Sequence, residues 1–362
     1  MPIPKKNKLV GLDIGSHSIK LVEIDDTKKG MVLKNFGIIG LPKDAVVEGT
    51  VREMEIVASA IKNLYKNLKV KNKNVAIAIS GFSVIVKKIN IARREESELE
   101  SSIHDEAEQY IPFDISDVNL DYELLSEKGE ESELGIEEES DEERLMDVML
   151  VAAKKDIIED YISLIHLAGL NPVLVDVDAF ALQNAFEISA DDISGCYAIV
   201  NVGAEELSIN AIKDGVSMFT RDSSYGGVQI TEAIMSEFDV SFEEAENIKL
   251  GGTKIDDKKE ALEEIFTTVV SGWVQEIKRA LDFLSTTYPD EAIEKIFLSG
   301  GACRLPGFKK FLQMETDIPI LELKPFANFQ INEKVFDPRY LSYMAPQAGV
   351  AVGLALRSVD DK

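Results

Sequence analysis

Apolar residues alternate with other residues at the start of the chain: Leu9, Val10, Leu12 and Ile14 stop at Gly15, and Ile19, Leu21, Val22 and Ile24 resume beyond it. Period-two alternation around a glycine predicts a hairpin of two strands. A third strand is expected over 32–39, after a turn at 28–30. Helical spacing of Ile56, Ala60, Leu64 and Leu68 predicts a helix over 53–68. The apolar run 74–80, ending at Gly81, reads as a buried strand. Strands are then expected over 84–91, 120–125 and 147–153, with helices over 95–110 and 155–168, the latter capped by Gly169. Together these predict a small α/β insertion in the first of two lobes. Its acidic run 127–144 reads as a solvated hairpin tip. The first lobe resumes with a strand at 172–178 and a helix at 179–186, and the second opens at Tyr197.

An internal match carries most of the information. VGLDIGSHSIKLVEI (10–24) aligns without a gap on AIVNVGAEELSINAI (198–212). Gly15 meets Gly203, Asp13 meets Asn201, Lys20 meets Ser208, and the apolar register agrees throughout. Two such hairpins predict two lobes of one duplicated fold facing each other. Their chemistry suits phosphate, because a glycine- and serine-bearing tip presents backbone N–H groups unobstructed by side chains. Gly15, Ser16 and Ser18 are candidate donors, Lys20 a point charge for terminal phosphates, and Asp13 a holder of Mg2+ through its water shell. The plainer readings are a surface lysine and a turn-forming aspartate.

Further segments fit the same pocket. In IFLSGGACRLPGF (296–308) Gly300 and Gly301 allow a ligand against backbone, Arg304 can stack on a base, and a helix begins near Pro306. Glu246 and Lys249 share a helix face, an ordinary ion pair unless that helix borders the cleft. Gly226 and Gly227 precede a helix N-terminus, a ready anion site. Trp273, Ile277, Leu281 and Phe283 are expected in the core of the second lobe. Cys196 and Cys303 read as small buried residues.

Composition narrows the classes. The 362 residues are 45% hydrophobic and 29% charged, suiting a folded protein of two lobes. A net charge of -26 opposes nucleic acid and anionic lipid as partners. Two cysteines and three histidines make a disulfide framework or a zinc site a poor expectation. The first residues lack the apolar region of a secretory signal, and no stretch approaches a membrane span. A cytoplasmic protein without direct membrane insertion is expected.

In this order the segments resemble the actin-like ATPase superfamily, which includes actin, DnaK-type chaperones, sugar kinases and FtsA. The resemblance implies an α/β fold of two duplicated, ribonuclease H-like lobes, with an FtsA-like 1C insertion in the first. It divides the chain into 1–83 (first-lobe core), 84–170 (insertion), 171–195 (connecting helix), 196–225 with 292–340 (second-lobe core), 226–291 (its helical subdomain) and 341–362 (a C-terminal connecting helix on the first lobe). It implies ATP and Mg2+ as ligands, phosphate loops around Gly15 and around Asn201, Gly203 and Ala204, a glycine near phosphate at Gly227, ribose contacts at Glu246 and Lys249, and an adenosine loop at Gly300, Gly301 and Arg304.

Within that superfamily GLDIGSHSIKLVEI, EAEQYIPFDISDVNLDYELL (106–125) and DVMLVAAKKDIIEDYISLIHLAGL (147–170) resemble the PilM family of type IV pilus platform proteins. Such a protein would bind the cytosolic N-terminal tail of PilN in a groove between first lobe and insertion, to which the strand 84–91 would contribute. It would sit peripherally on the inner membrane and help couple pilus motor ATPases to the envelope complex. Asn201 stands where many relatives have an acidic residue, and Asp178 where an acidic or amide side chain orients the attacking water. This pair implies slow or absent hydrolysis, with Asp178 as the candidate catalytic group. The alternatives are a metabolite kinase of the superfamily, an FtsA-like polymer former, and a GspL-like domain. The last two ordinarily continue into a membrane helix, whereas this sequence ends at LALRSVDDK. Self-association stays open.

Overall fold

In a computed structural model, residues 8–127, 145–190, 192–253 and 258–359 are described. The chain begins with β1 (Val10–Ile14), β2 (Ser18–Thr27) and β3 (Gly30–Gly40), followed by the short pair β4 (Val46–Val47) and β5 (Thr50–Val51), α1 (Met54–Leu68) and β6 (Asn74–Ile79). Then come β7 (Val84–Ala92), α2 (Glu96–Ala107), β8 (Val118–Glu127), β9 (Leu145–Lys154), α3 (Lys155–Leu167), β10 (Asn171–Val177) and α4 (Asp178–Ser189). The first sheet has the order β10-β6-β1-β2-β3, with β2 antiparallel to β1 and β6 parallel to it.

The second half repeats this plan. Strands β11 (Cys196–Val202), β12 (Leu207–Lys213) and β13 (Val216–Ser223) are followed by α5 (Gly227–Phe238), α6 (Phe242–Lys249), α7 (Lys259–Thr287), β14 (Lys295–Ser299), α8 (Phe308–Thr316), β15 (Ile320–Glu322), α9 (Pro338–Met344) and α10 (Gly349–Leu356). The sheet order is β13-β12-β11-β14-β15, again with the two strands after the first antiparallel and the next two parallel. Both central strands are apolar and nearly wholly buried, as a strand covered on both faces must be.

Helices supply that cover. On one face of the first sheet α1 buries Val57, Ala58, Ile61, Leu64 and Tyr65, and α3 buries Tyr161, Leu164 and Ile165. The other face receives α10, whose buried run Gly349–Ala355 is apolar on every side and so has no solvent face. This helix crosses α4 at small residues: a Cβ at Gly353 would lie 1.6 Å from the Ala181 carbonyl oxygen, and one at Gly11 of β1 would lie 2.1 Å from that of Ala351. The two elements that join the lobes are therefore packed backbone to backbone. In the insertion β7, β9 and β8 form an antiparallel sheet, and α2 covers one face through Leu99, Ile103 and Ala107.

Two expectations need correction. Phe283 is 48% exposed and rests against Phe219, with ring centroids 5.1 Å apart, whereas Trp273 and Ile277 are fully buried. It lies off the four-residue stripe through 273, 277 and 281, so α7 turns it outward. The helix expected near Pro306 begins at Phe308, because Gly307 takes a left-handed φ of 86° immediately before it. The acidic run 127–144, apart from Glu127, falls outside the described residues.

Candidate functional site

The turns β1–β2 and β11–β12 face each other across a cleft between the two sheets, enclosing a cavity of about 390 Å³. Of the site residues singled out in the sequence, all but Gly226 line it: Asp13, Gly15, Ser16, Ser18, Lys20, Asp178, Asn201, Gly203, Ala204, Gly227, Glu246, Lys249, Gly300, Gly301 and Arg304. They come from distant parts of the chain, and the duplicated topology brings them together.

The turns have matching geometry. Asp13 pairs with Lys20 and Ile14 with Ile19; Asn201 pairs with Ser208 and Val202 with Leu207. In each the glycine N–H closes the turn: Gly15 donates to the Ser18 carbonyl at 3.2 Å, and Gly203 to that of Glu206 at 2.8 Å. This corrects the expectation that Gly15 donates to a ligand. A Cβ on Gly15 would lie 3.2 Å from Lys20 Nζ, a contact the lysine end can relieve, and one on Gly203 would lie 3.2 Å from Glu206 O. The α5 start is likewise not an open anion site. Gly227 N–H donates to Gly203 O at 3.1 Å and Val228 N–H to Ala204 O at 2.8 Å, so the second turn caps this helix. A Cβ on Gly226 would lie 2.3 Å from Ala204 O, which is why glycine precedes the helix.

Around the rim, Lys249 Nζ lies 2.5 Å from Glu246 Oε1, and both side chains are nearly buried at 11% and 13% exposure. The pair borders the cleft and is not an ordinary surface ion pair. Arg304 stacks on the Tyr343 ring, its guanidinium carbon 3.9 Å from the centroid, and donates to the Tyr343 carbonyl. Gly300 has φ 87°, and a Cβ there would meet the Val202 backbone at 2.2 Å; its N–H donates to Pro346 O at 2.8 Å. Packing alone therefore requires glycine at that position.

Charge concentrates at the floor. Lys20 Nζ lies 3.2 Å from Asp13 Oδ2. Burial, then the neighbouring Asp13 and Asp222, raises the Asp178 carboxyl to about 8. Burial also pushes Glu206 well above the usual carboxylate range, with Asp222 and Asp178 adding to the shift, and it raises Asp222 to about 6. Burial lowers the His17 imidazole from its ordinary value. Two of these carboxylates tie the lobes together. Ser80 Oγ donates to Glu206 Oε2 at 3.3 Å, and Gly81 N–H to Asp222 Oδ2 at 3.2 Å. Nearby, Glu48 N–H donates to Glu205 Oε2 at 3.0 Å and Ser224 Oγ to Glu48 Oε1 at 2.9 Å. Among the described residues no three His, Cys, Asp or Glu side chains are grouped to hold a metal ion directly.

Sequence reasoning missed Glu48, Glu206, Tyr343 and Gln347, all of which line the cavity. Glu206 had a signal, since the internal alignment sets it opposite Ser18 at the tip of a candidate phosphate turn. Glu48 had a weaker one: with Gly49 it forms a two-residue turn in which both residues have positive φ, 46° and 75°. Glutamate is an unfavoured choice there.

Comparison with known proteins agrees with this geometry. The chain is similar over 98% of its length to a chain of a PilM-PilN type IV pilus biogenesis complex, with a TM-score of 0.84, 27% identity and 100% of that chain covered. The ethanolamine utilization protein EutJ from Carboxydothermus hydrogenoformans superposes with a TM-score of 0.55 at 16% identity, covering 98% of this chain and 91% of that one, and so shares the fold. The actin-like ATPase fold expected from the sequence is the fold observed. A family model described as type IV pilus assembly protein PilM matches residues 11–359, and the chain belongs to that family.

Proposed function

We propose that the cleft binds ATP with Mg2+ and that this ligand governs docking of the chain on the cytosolic N-terminal tail of PilN, with little or no turnover. The observation that carries the nucleotide reading is the pair of turns in identical register, opposed across one cavity with Lys20 between them. The residues fit the ligand. The cavity is of small-molecule size, and the glycines let backbone close on phosphates. Lys20 offsets their charge, and Glu246 with Lys249 meets the ribose. Since no three acidic or imidazole groups converge among the described residues, Mg2+ fits only as Asp13 would hold it, through bound water. The ion would supply charge neutralisation at the phosphates.

Slow turnover follows from the floor of the cleft. A carboxyl with its proton-binding range raised to about 8 keeps that proton near neutral pH, so Asp178 is a poor base, and Asn201 adds no charge. Among the described residues no helix is long and apolar enough to cross a membrane. In this reading inner-membrane attachment comes through the partner, in the groove between first lobe and insertion, and coupling to pilus motor ATPases runs through that complex.

Isothermal titration with Mg-ATP and with a synthetic PilN tail peptide tests both halves. Saturable ATP binding is expected, weakened about 10- to 100-fold by Lys20→Ala through loss of a charge-assisted contact. Peptide affinity is expected to differ with and without nucleotide. A wild-type protein that binds the peptide but no ATP would remove the switch and leave the adaptor.

The contacts of Glu48 with Glu205 and Ser224 close the cleft at its phosphate end. Asparagine suits the left-handed φ of residue 48 better than glutamate but cannot reach Ser224 equally well. Glu48→Asn is therefore expected to hold or raise the melting temperature while speeding release of a fluorescent ATP analogue about threefold or more. Equal release rates in stopped-flow would show that this contact does not gate the cleft.

A further inference from the structure

Thr231 is wholly buried on α5, one turn after Gly227, at the end of the segment 223–231 that carries Gly226 and Gly227, and nothing in the sequence assigned it a role of its own. Its hydroxyl sits where three groups meet. Lys249 Nζ donates to it at 2.8 Å, Gly227 O lies 3.2 Å away, and it donates to Glu246 Oε1 in a short hydrogen bond. A hydroxyl has one proton and two lone pairs, so it can accept from the ammonium and give its proton to the carboxylate at once. Lys249 spends its other contacts on Gly227 O at 3.2 Å and Glu246 Oε1 at 2.5 Å. Both bonds to Glu246 land on Oε1. Oε2 is thus the oxygen left for an incoming donor, and the carboxylate plane is held from one side.

Resting on the nucleotide reading above, we infer that Thr231 is a positioning residue that sets the Glu246–Lys249 pair for the vicinal hydroxyls of the ribose. A carboxylate discriminates a diol only if its orientation is fixed before the ligand arrives; a freely rotating one spends ordering entropy on each contact. Thr231 supplies that fixation, and Lys249, donating to Gly227 O at 3.2 Å, anchors the pair to the backbone bonded to the second turn. Sugar recognition on α6 and phosphate recognition at the Gly203 turn then share one rigid connection. Valine keeps the shape at 231 but removes both the acceptor for Lys249 and the donor to Glu246.

The test compares affinities of the whole protein for Mg-ATP and for its 2′,3′-dideoxy analogue. Wild type is expected to favour ATP about tenfold or more, the discrimination one or two hydrogen bonds to charged groups give. Thr231→Val is expected to cut that ratio below about threefold while leaving dideoxy affinity within about twofold, because the phosphate side is intact. Thr231→Ser should restore the ratio, and Thr231→Ala should behave as valine does if the valine variant folds poorly. A ratio unchanged in the valine or alanine variant overturns the role of Thr231. Wild type that binds both analogues equally overturns the sugar role of the pair and the inference with it. Wild type that binds neither overturns the nucleotide reading itself.

Discussion

Gly353→Ala is expected to cost about 3 kcal/mol of stability, or a fall of roughly 4 °C in melting temperature, because overpacking here meets backbone. A Cβ would lie 1.6 Å from Ala181 O, 2.4 Å from its carbonyl carbon and 3.0 Å from its Cα. Nothing in that list is a side-chain end that can rotate away. Helix α10 cannot simply step back either, since its other side carries Ala351 O, already so close to β1 that Gly11 has no room for a Cβ. The added methyl must push α4, α10 or β1 apart, and the two helices join the lobes. Gly40→Ala is the control: its Cβ would meet nothing within 4 Å. Thermal melts followed by circular dichroism check the pair. Gly353→Ala melting within about 2 °C of wild type would mean that the crossing is looser than its geometry implies.

The same crossing shows what was legible in the sequence. Strands of period two broken by a glycine announced both hairpins, and the match of Val10 with Ala198 set them in one register before any pairing was visible. The C-terminal connecting helix followed from the resemblance, and its burial on every side is seen only in the fold. Which glycines were needed for approach was not legible, because that depends on what comes near from far along the chain. Gly226 has an extended φ of 179° that any residue adopts, yet Ala204 O, in another turn, leaves it no room for a side chain. The N–H groups of Gly15, Gly203 and Gly227 looked free for a ligand and are spent inside the protein. The place of Glu206 was not legible because its partner, Ser80, comes from the other lobe, and Phe283 read as core until the long helix α7 fixed its phase.

Those inward carboxylates give the protein an unusual pH response. Asp178 has an ordinary carboxyl value of 3.8 when unfolded and about 8 in the fold, so the folded state binds the extra proton between them. Its contribution is complete below the unfolded value and is lost as pH rises through the folded one, so stability falls toward alkaline pH. Glu206 and Asp222 are shifted in the same direction. Lys20 opposes the shift, while Asp13, Asp222 and Asp176 reinforce the burial that causes it. The difference in stability between pH 5 and pH 9 attributable to Asp178 is on the order of 3 kcal/mol, discounting the full shift for its coupling to neighbours. Asp178→Asn replaces the protonated carboxyl with a neutral group of equal size. It is expected to be modestly more stable than wild type at pH 5, to melt several degrees higher at pH 9, and to have a flatter curve between. Comparison at each pH removes the general self-repulsion of a chain with net charge -26, which both proteins share. Parallel melting curves for the two proteins across that range would show that Asp178 is ionised in the fold. In that case it would be charged near neutral pH and able to act as the base that the proposed slow turnover assumes to be missing.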